Sequence, residues 1–158
     1  MTDRLCVVGE PGPGMIVRAG AAVIPVRPDG TFLLELRKDC ALWGLVGGRV
    51  DPGESVAISA LRECLEETGL KAEIDYLLGV YSHPEGRMIR FEPSGDERQI
   101  VDVVLVVRVS QNAKVSVSQE SVKLAWFDRE TLPPRKFFLQ AAWEPVVDFL
   151  DGKRGLIR

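Results

Sequence analysis

Hydrophobic positions along the chain fall into short blocks separated by Gly- and Pro-rich breaks, and the spacing inside each block predicts its element. Met15 to Val26 is apolar and rich in β-branched residues, which predicts a strand. Pro28-Asp29-Gly30 turns the chain, and Thr31 to Arg37 returns as the second strand of a hairpin. Trp43 to Val50 is short and glycine-rich, a strand or loop closed by Asp51-Pro52-Gly53. The helical period appears next: Val56, Ala57, Ala60, Leu61, Cys64, Leu65 and Thr68 recur at three- and four-residue steps. Ser55 is suited to cap that helix and Gly69 to stop it. Ala72 to Tyr81 predicts a strand, and His83 to Glu97 a loop with room for a short strand. Ile100 to Val109 carries the strongest strand pattern, and Val122 to Phe127 another. Leu132-Pro133-Pro134 breaks the chain before a helix over Phe137 to Leu150, which Pro145 should break or kink. Strands interleaved with two helices predict an α/β fold, a mixed sheet between helices. Residues 1–14, with Pro11-Gly12-Pro13-Gly14, predict a flexible N-terminal arm ahead of a single domain over 15–158.

A length of 158 residues suits one domain with a real core. The net charge of −3 argues against broad binding of a nucleic-acid polymer, which needs a basic face. Cys6, Cys40 and Cys64 form neither a disulfide framework nor a zinc pattern, and a cytoplasmic protein is expected. Arg18 and Pro25 interrupt the longest apolar stretch, so no membrane span is expected, and Met1 to Leu5 does not open a signal peptide.

The chemistry concentrates in one helix. Glu63 lies three residues before Glu66 and four before Glu67, so the three carboxylates project from one side. Such a face is either solvated or a site for a hard cation, whose charge offsets their repulsion. The wider spacing favours the cation. Gly48 is followed by five residues and Glu54. Seven more lead to Arg62-Glu63-Cys64, one to Glu66-Glu67, and one to Gly69-Leu70. This pattern resembles the Nudix box position by position, with Cys64 in place of the usual aliphatic residue. Ahead of the box, the run Trp43 to Gly48 carries Val46 where relatives often have proline.

The resemblance implies the Nudix α/β/α sandwich and hydrolysis of a phosphate anhydride, with Mg2+ or Mn2+, in a small nucleotide-type compound. ADP-ribose, a nucleotide sugar or a nucleoside triphosphate would fit. It further implies metal binding by Glu63, Glu66 and Glu67, with Glu54 and Gly48 in support, and an Arg62–Glu54 pair that holds the loop to the helix. Glu67 and Glu120 are the implied candidates for the general base, with Arg62 counted in the catalytic set. Arg37, Gly47, Gly48 and His83 are the implied substrate contacts. A homodimer is compatible with the resemblance, and a domain that senses a nucleotide without cleaving it is the alternative reading. Outside the box, Trp43, Trp126 and Trp143 read as packing residues, and Arg87, Arg90 and Arg98 as solvated loop charge.

Overall fold

The computed structural model describes residues 3–158. Its centre is a parallel pair, β2 (Ile16–Val26) beside β8 (Asp96–Arg108), in register from Ile16↔Arg98 to Val26↔Arg108. Antiparallel neighbours extend it on both sides. β3 (Phe32–Arg37) and β5 (Val46–Arg49) pair with β2, while β6 (Glu73–Tyr81) and β7 (Met88–Glu92) pair with β8. β4 (Trp43–Gly44) and β9 (Ser121–Phe127) flank β3. β1 (Arg4–Val7) lies on β7, and β10 (Leu156–Ile157) runs parallel to β6.

Alternation along the strands sends side chains to two separate cores. Ala21, Val23, Leu33 and Val107 pack with Ala60 and Cys64 of α1 (Val56–Thr68). Ala22, Ile24, Phe32, Leu34 and Val104 pack with Ala142 and Val146 of α2 (Gln140–Leu150). The expected sheet between helices is therefore what the chain forms. The three tryptophans pack as expected: Trp43 edge-on to Phe127, Trp143 edge-on to Phe138, and Trp126 under the Arg27 guanidinium.

α1 begins where Ser55 Oγ accepts from the Ile58 N–H at 3.2 Å. It ends at Gly69, left-handed at φ 72°, whose N–H donates to the Leu65 carbonyl. Four expectations change. Arg4–Val7 is a strand rather than part of a flexible arm, because Leu5 buries its side chain and the backbone pairs with Arg90–Glu92. The short strand allowed for within 83–97 is β7, but residues 96–99, expected outside the next strand, form the start of a longer β8. Within α1, Ala57 and Leu65 are exposed although the period groups them with the core face. Pro145 leaves α2 unbroken, and the carbonyl it cannot bond within the helix, that of Ala141, accepts from Arg87 Nη2 at 3.2 Å.

Candidate functional site

A cavity of about 410 Å3 opens between the N-terminal half of β2, the Gly47–Gly48 segment, α1 and the start of α2. Gly47 is what lets the chain pass there. Its φ is 149°, and a Cβ on it would lie 2.4 Å from the Ala21 carbonyl oxygen. Gly48 touches the site itself, since a Cβ there would meet Glu63 Oε1 at 2.6 Å.

The box carboxylates divide into two groups. Glu63 and Glu67 line the cavity. Glu67 is 6% exposed and accepts from the Gly47 N–H at 2.8 Å. Burial first, then the Glu35 and Glu63 carboxylates, push the Glu67 carboxyl up to about 8, against the Gly47 hydrogen bond and Arg37. Glu54 and Glu66 do not line the cavity and are held by Arg62 instead. Of the three carboxylates expected on one side of the helix, Glu66 sits at the outer margin and shares Arg62 Nη1 with Glu63. Glu66 lies about 100° around the helix from Glu67, which turns it outward to 60% side-chain exposure.

Arg62 ties the box carboxylates together. Its Nε and Nη2 donate to the two Glu54 oxygens at 2.7 and 2.9 Å, and Nη1 donates to Glu63 at 2.8 Å and Glu66 at 3.1 Å. That pairing holds the Glu54 carboxyl down to about 2 and ties the 51–54 turn to α1, as the resemblance implies.

Arg37 and Glu120 both line the cavity. Arg37 donates twice to Asp39, at 3.0 and 2.6 Å, and these bonds outweigh burial to keep its pKa above the ordinary value. Glu120 is exposed at the wall. His83 is a correction: it lies outside the cavity, exposed, its Nδ1 accepting from the Glu85 N–H at 3.3 Å. Among the described residues no three His, Cys, Asp or Glu side chains converge as a ready-made cage for an ion.

Four residues that the sequence did not single out as part of a site also matter. Glu35 is 1% exposed. Ser121 Oγ donates to its Oε1 at 2.6 Å, while its Oε2 is buried without a partner. Asp102 sits on the cavity floor, and burial pushes its carboxyl up to about 6 although Arg87 pulls it back. Both acids interrupt apolar strand runs, Leu34-Glu35-Leu36 and Val101-Asp102-Val103, which is the signal that could have found them. Arg87 and Arg98, read as solvated loop charge, line the cavity, Arg87 at 3% exposure. Burial, then the neighbouring Arg49 and Arg18, hold Arg98 below its ordinary value. Only Arg90 behaves as expected, lying outside the cavity and paired with Glu97.

A family model described as the NUDIX domain matches residues 17–148. Over 66 residues the chain is 52% identical to a Bacillus subtilis protein provisionally named an 8-oxo-dGTP diphosphatase, and it spans 44% of that protein's length. It is 31% identical over 133 residues to an ADP-ribose pyrophosphatase of Methanocaldococcus jannaschii, covering 82% of this chain and 72% of that one. Among solved structures, a NUDIX hydrolase from Nitrosomonas europaea superposes with a TM-score of 0.72 at 19% identity, over 89% of this chain and 76% of that one. A MutT NUDIX hydrolase from Burkholderia pseudomallei does so with a TM-score of 0.67 at 28% identity, over 84% and 98%.

Proposed function

The chain belongs to the NUDIX domain family, and from that premise we propose that it hydrolyses a phosphate anhydride in a small nucleotide derivative with the help of Mg2+ or Mn2+. The reading rests on one observation above the others. Glu63 and Glu67 face one cavity beneath the Gly47–Gly48 backbone, with Glu67 anchored by the Gly47 N–H.

The residues present fit a hard dication. Burial and the neighbouring Glu35 and Glu63 carboxylates raise the cost of ionising Glu67, and Glu35 Oε2 has no protein partner. Positive charge placed there relieves that repulsion. Two close carboxylates rather than a full cage suit magnesium, which keeps part of its water shell. Glu63 and Glu67 would hold the ion, with Gly48 beside them. When bound, it supplies charge that offsets the phosphates and favours loss of a proton from the attacking water.

The rest falls to the chain. Arg62 fixes Glu63 by a direct hydrogen bond, so the carboxylate need not be ordered when substrate arrives. Arg18 supplies local positive charge at the cavity, joined by Arg49 and Arg98, which are paired with Asp51 and Asp96, and so favours phosphate entry. Glu120, exposed at the wall, takes the proton from water.

The test is turnover on ADP-ribose, nucleotide sugars and nucleoside triphosphates with Mg2+, products separated by chromatography. Cleavage of an anhydride bond by the wild type is expected. Glu67→Gln should lower kcat at least ~100-fold while its melting temperature stays the same or rises, since a desolvated charge is lost but little volume. Tight binding without cleavage would leave the sensor reading in its place.

A further inference from the structure

We infer that the end of the cavity away from the Glu63–Glu67 pair reads the edge of a guanine-type base, Asp102 accepting from the ring N–H and the exocyclic amino group and Arg87 donating to the adjoining carbonyl. The inference deepens the proposed function, in that it takes a nucleotide to be what fills the cavity.

Two groups on the cavity wall are fixed in place with hydrogen-bonding capacity left over. Asp102 of β8 stands opposite Gly20 of β2. A Cβ at residue 20 would come within 2.3 Å of Asp102 Oδ1, so the absence of a side chain there is what gives the carboxylate its place on the floor. Among the described residues no hydrogen bond reaches that carboxylate. Its nearest cation, Arg87, stands with Nε 3.9 Å from Oδ2, too far for one.

Arg87 is held from behind. Its Nη2 donates to the Ala141 carbonyl, which is free because Pro145 has no N–H to offer it. Glu144, at 3.6 Å, offsets its charge. Only 3% of the side chain is exposed, and Nη1, which donates to none of the described residues, is the group left to meet a ligand acceptor.

The chemistry of the pair selects the ligand. An ionised carboxylate accepts only, and here both oxygens are open. Its complement is two adjacent N–H donors, with an acceptor beside them for Arg87. Guanine presents that edge: amino group, ring N–H and carbonyl in sequence. Adenine and cytosine offer one amino donor and then a ring-nitrogen acceptor, which would face the second oxygen and repel it. Leu139, Ile89 and Phe91 line the same cavity and give the ring faces an apolar bed.

Calorimetric titration with GMP, IMP and AMP, without added metal, separates base reading from hydrolysis. The wild type should bind GMP at least ~10-fold more tightly than AMP, with IMP between them, as a bidentate contact to a base edge allows. Asp102→Asn should abolish that preference, because the amide replaces one acceptor with a donor, while still melting as a folded protein. Equal or absent binding by the wild type, or a preference that survives in Asp102→Asn, overturns the inference. A guanine preference without anhydride cleavage would leave it standing and remove the proposed function instead.

Discussion

Asp102 offers a test that needs neither substrate nor metal. Burial pushes its carboxyl from the ordinary 3.8 up to about 6, Arg87 reducing the effect only in part. The folded chain therefore holds this proton more tightly than the unfolded chain does. Ionising the group works against the fold, not for it. Below pH 3.8 the effect is absent, between 3.8 and about 6 it grows as pH rises, and above that it is complete. The full difference corresponds to about 3 kcal/mol. Asparagine has nearly the same shape and no charge at any of these pH values. Asp102→Asn should accordingly be more stable than the wild type at pH 7.5 by up to about 3 kcal/mol, a rise of roughly 6–12 °C in melting temperature. At pH 4.5 the advantage should shrink to about 1 kcal/mol. Melting curves of both proteins between pH 4.5 and 8 supply the measurement, and taking their difference cancels the other titrating groups, Glu67 among them. A gap that stays constant with pH, or a wild type that is the more stable at pH 7.5, would refute the reasoning.

Two other substitutions probe the frame around the cavity. Gly47→Ala forces a Cβ to 2.4 Å from the Ala21 oxygen at a φ of 149°. It should cost about 2–4 kcal/mol in urea unfolding, and a loss under about 0.5 kcal/mol would show that the segment can shift. Pro145→Ala restores an N–H inside α2. A helix-interior proline costs about 3 kcal/mol relative to alanine, offset by its ring burial and by a stiffer unfolded chain, so a gain of about 1 kcal/mol, or 2–4 °C by calorimetry, is expected. A lower melting temperature would mean that the ring's packing outweighs the missing hydrogen bond.

What could be read from the sequence was what local spacing determines. The helix over residues 56–68, its caps at Ser55 and Gly69, and the joint approach of Glu63 and Glu67 to one site follow from a period of 3.6 and a capping hydroxyl. The pairing of Arg62 with Glu54 followed from the family pattern. What escaped depends on neighbours distant in the chain. Glu66 and Glu67 are adjacent in sequence, yet the sheet covers one and leaves the other in water. Nothing local distinguishes Arg87, which is buried, from Arg90, which is 41% exposed. The difference is made by Ala141 and Asp102, residues contributed from other elements. His83 went the opposite way: counted among the implied substrate contacts, it is exposed outside the cavity, where the turn after Tyr81 leaves it. β1 was overlooked because four residues with a single well-buried side chain carry too little pattern to stand out.

The in-register pairing of Gly20 with Asp102 joins positions more than eighty residues apart, whereas Gly47, Gly48, Glu63 and Glu67 come from one short contiguous segment. The proposed ion-holding residues thus lie on a single cassette, while the remaining wall of the cavity is quilted from scattered parts of the chain. On the inferred reading of the base edge, exchanges at residues 20, 87 or 102 would redirect which molecule is accepted without rewriting the cassette. The same scaffold is in that way free to change its diet while keeping its bite.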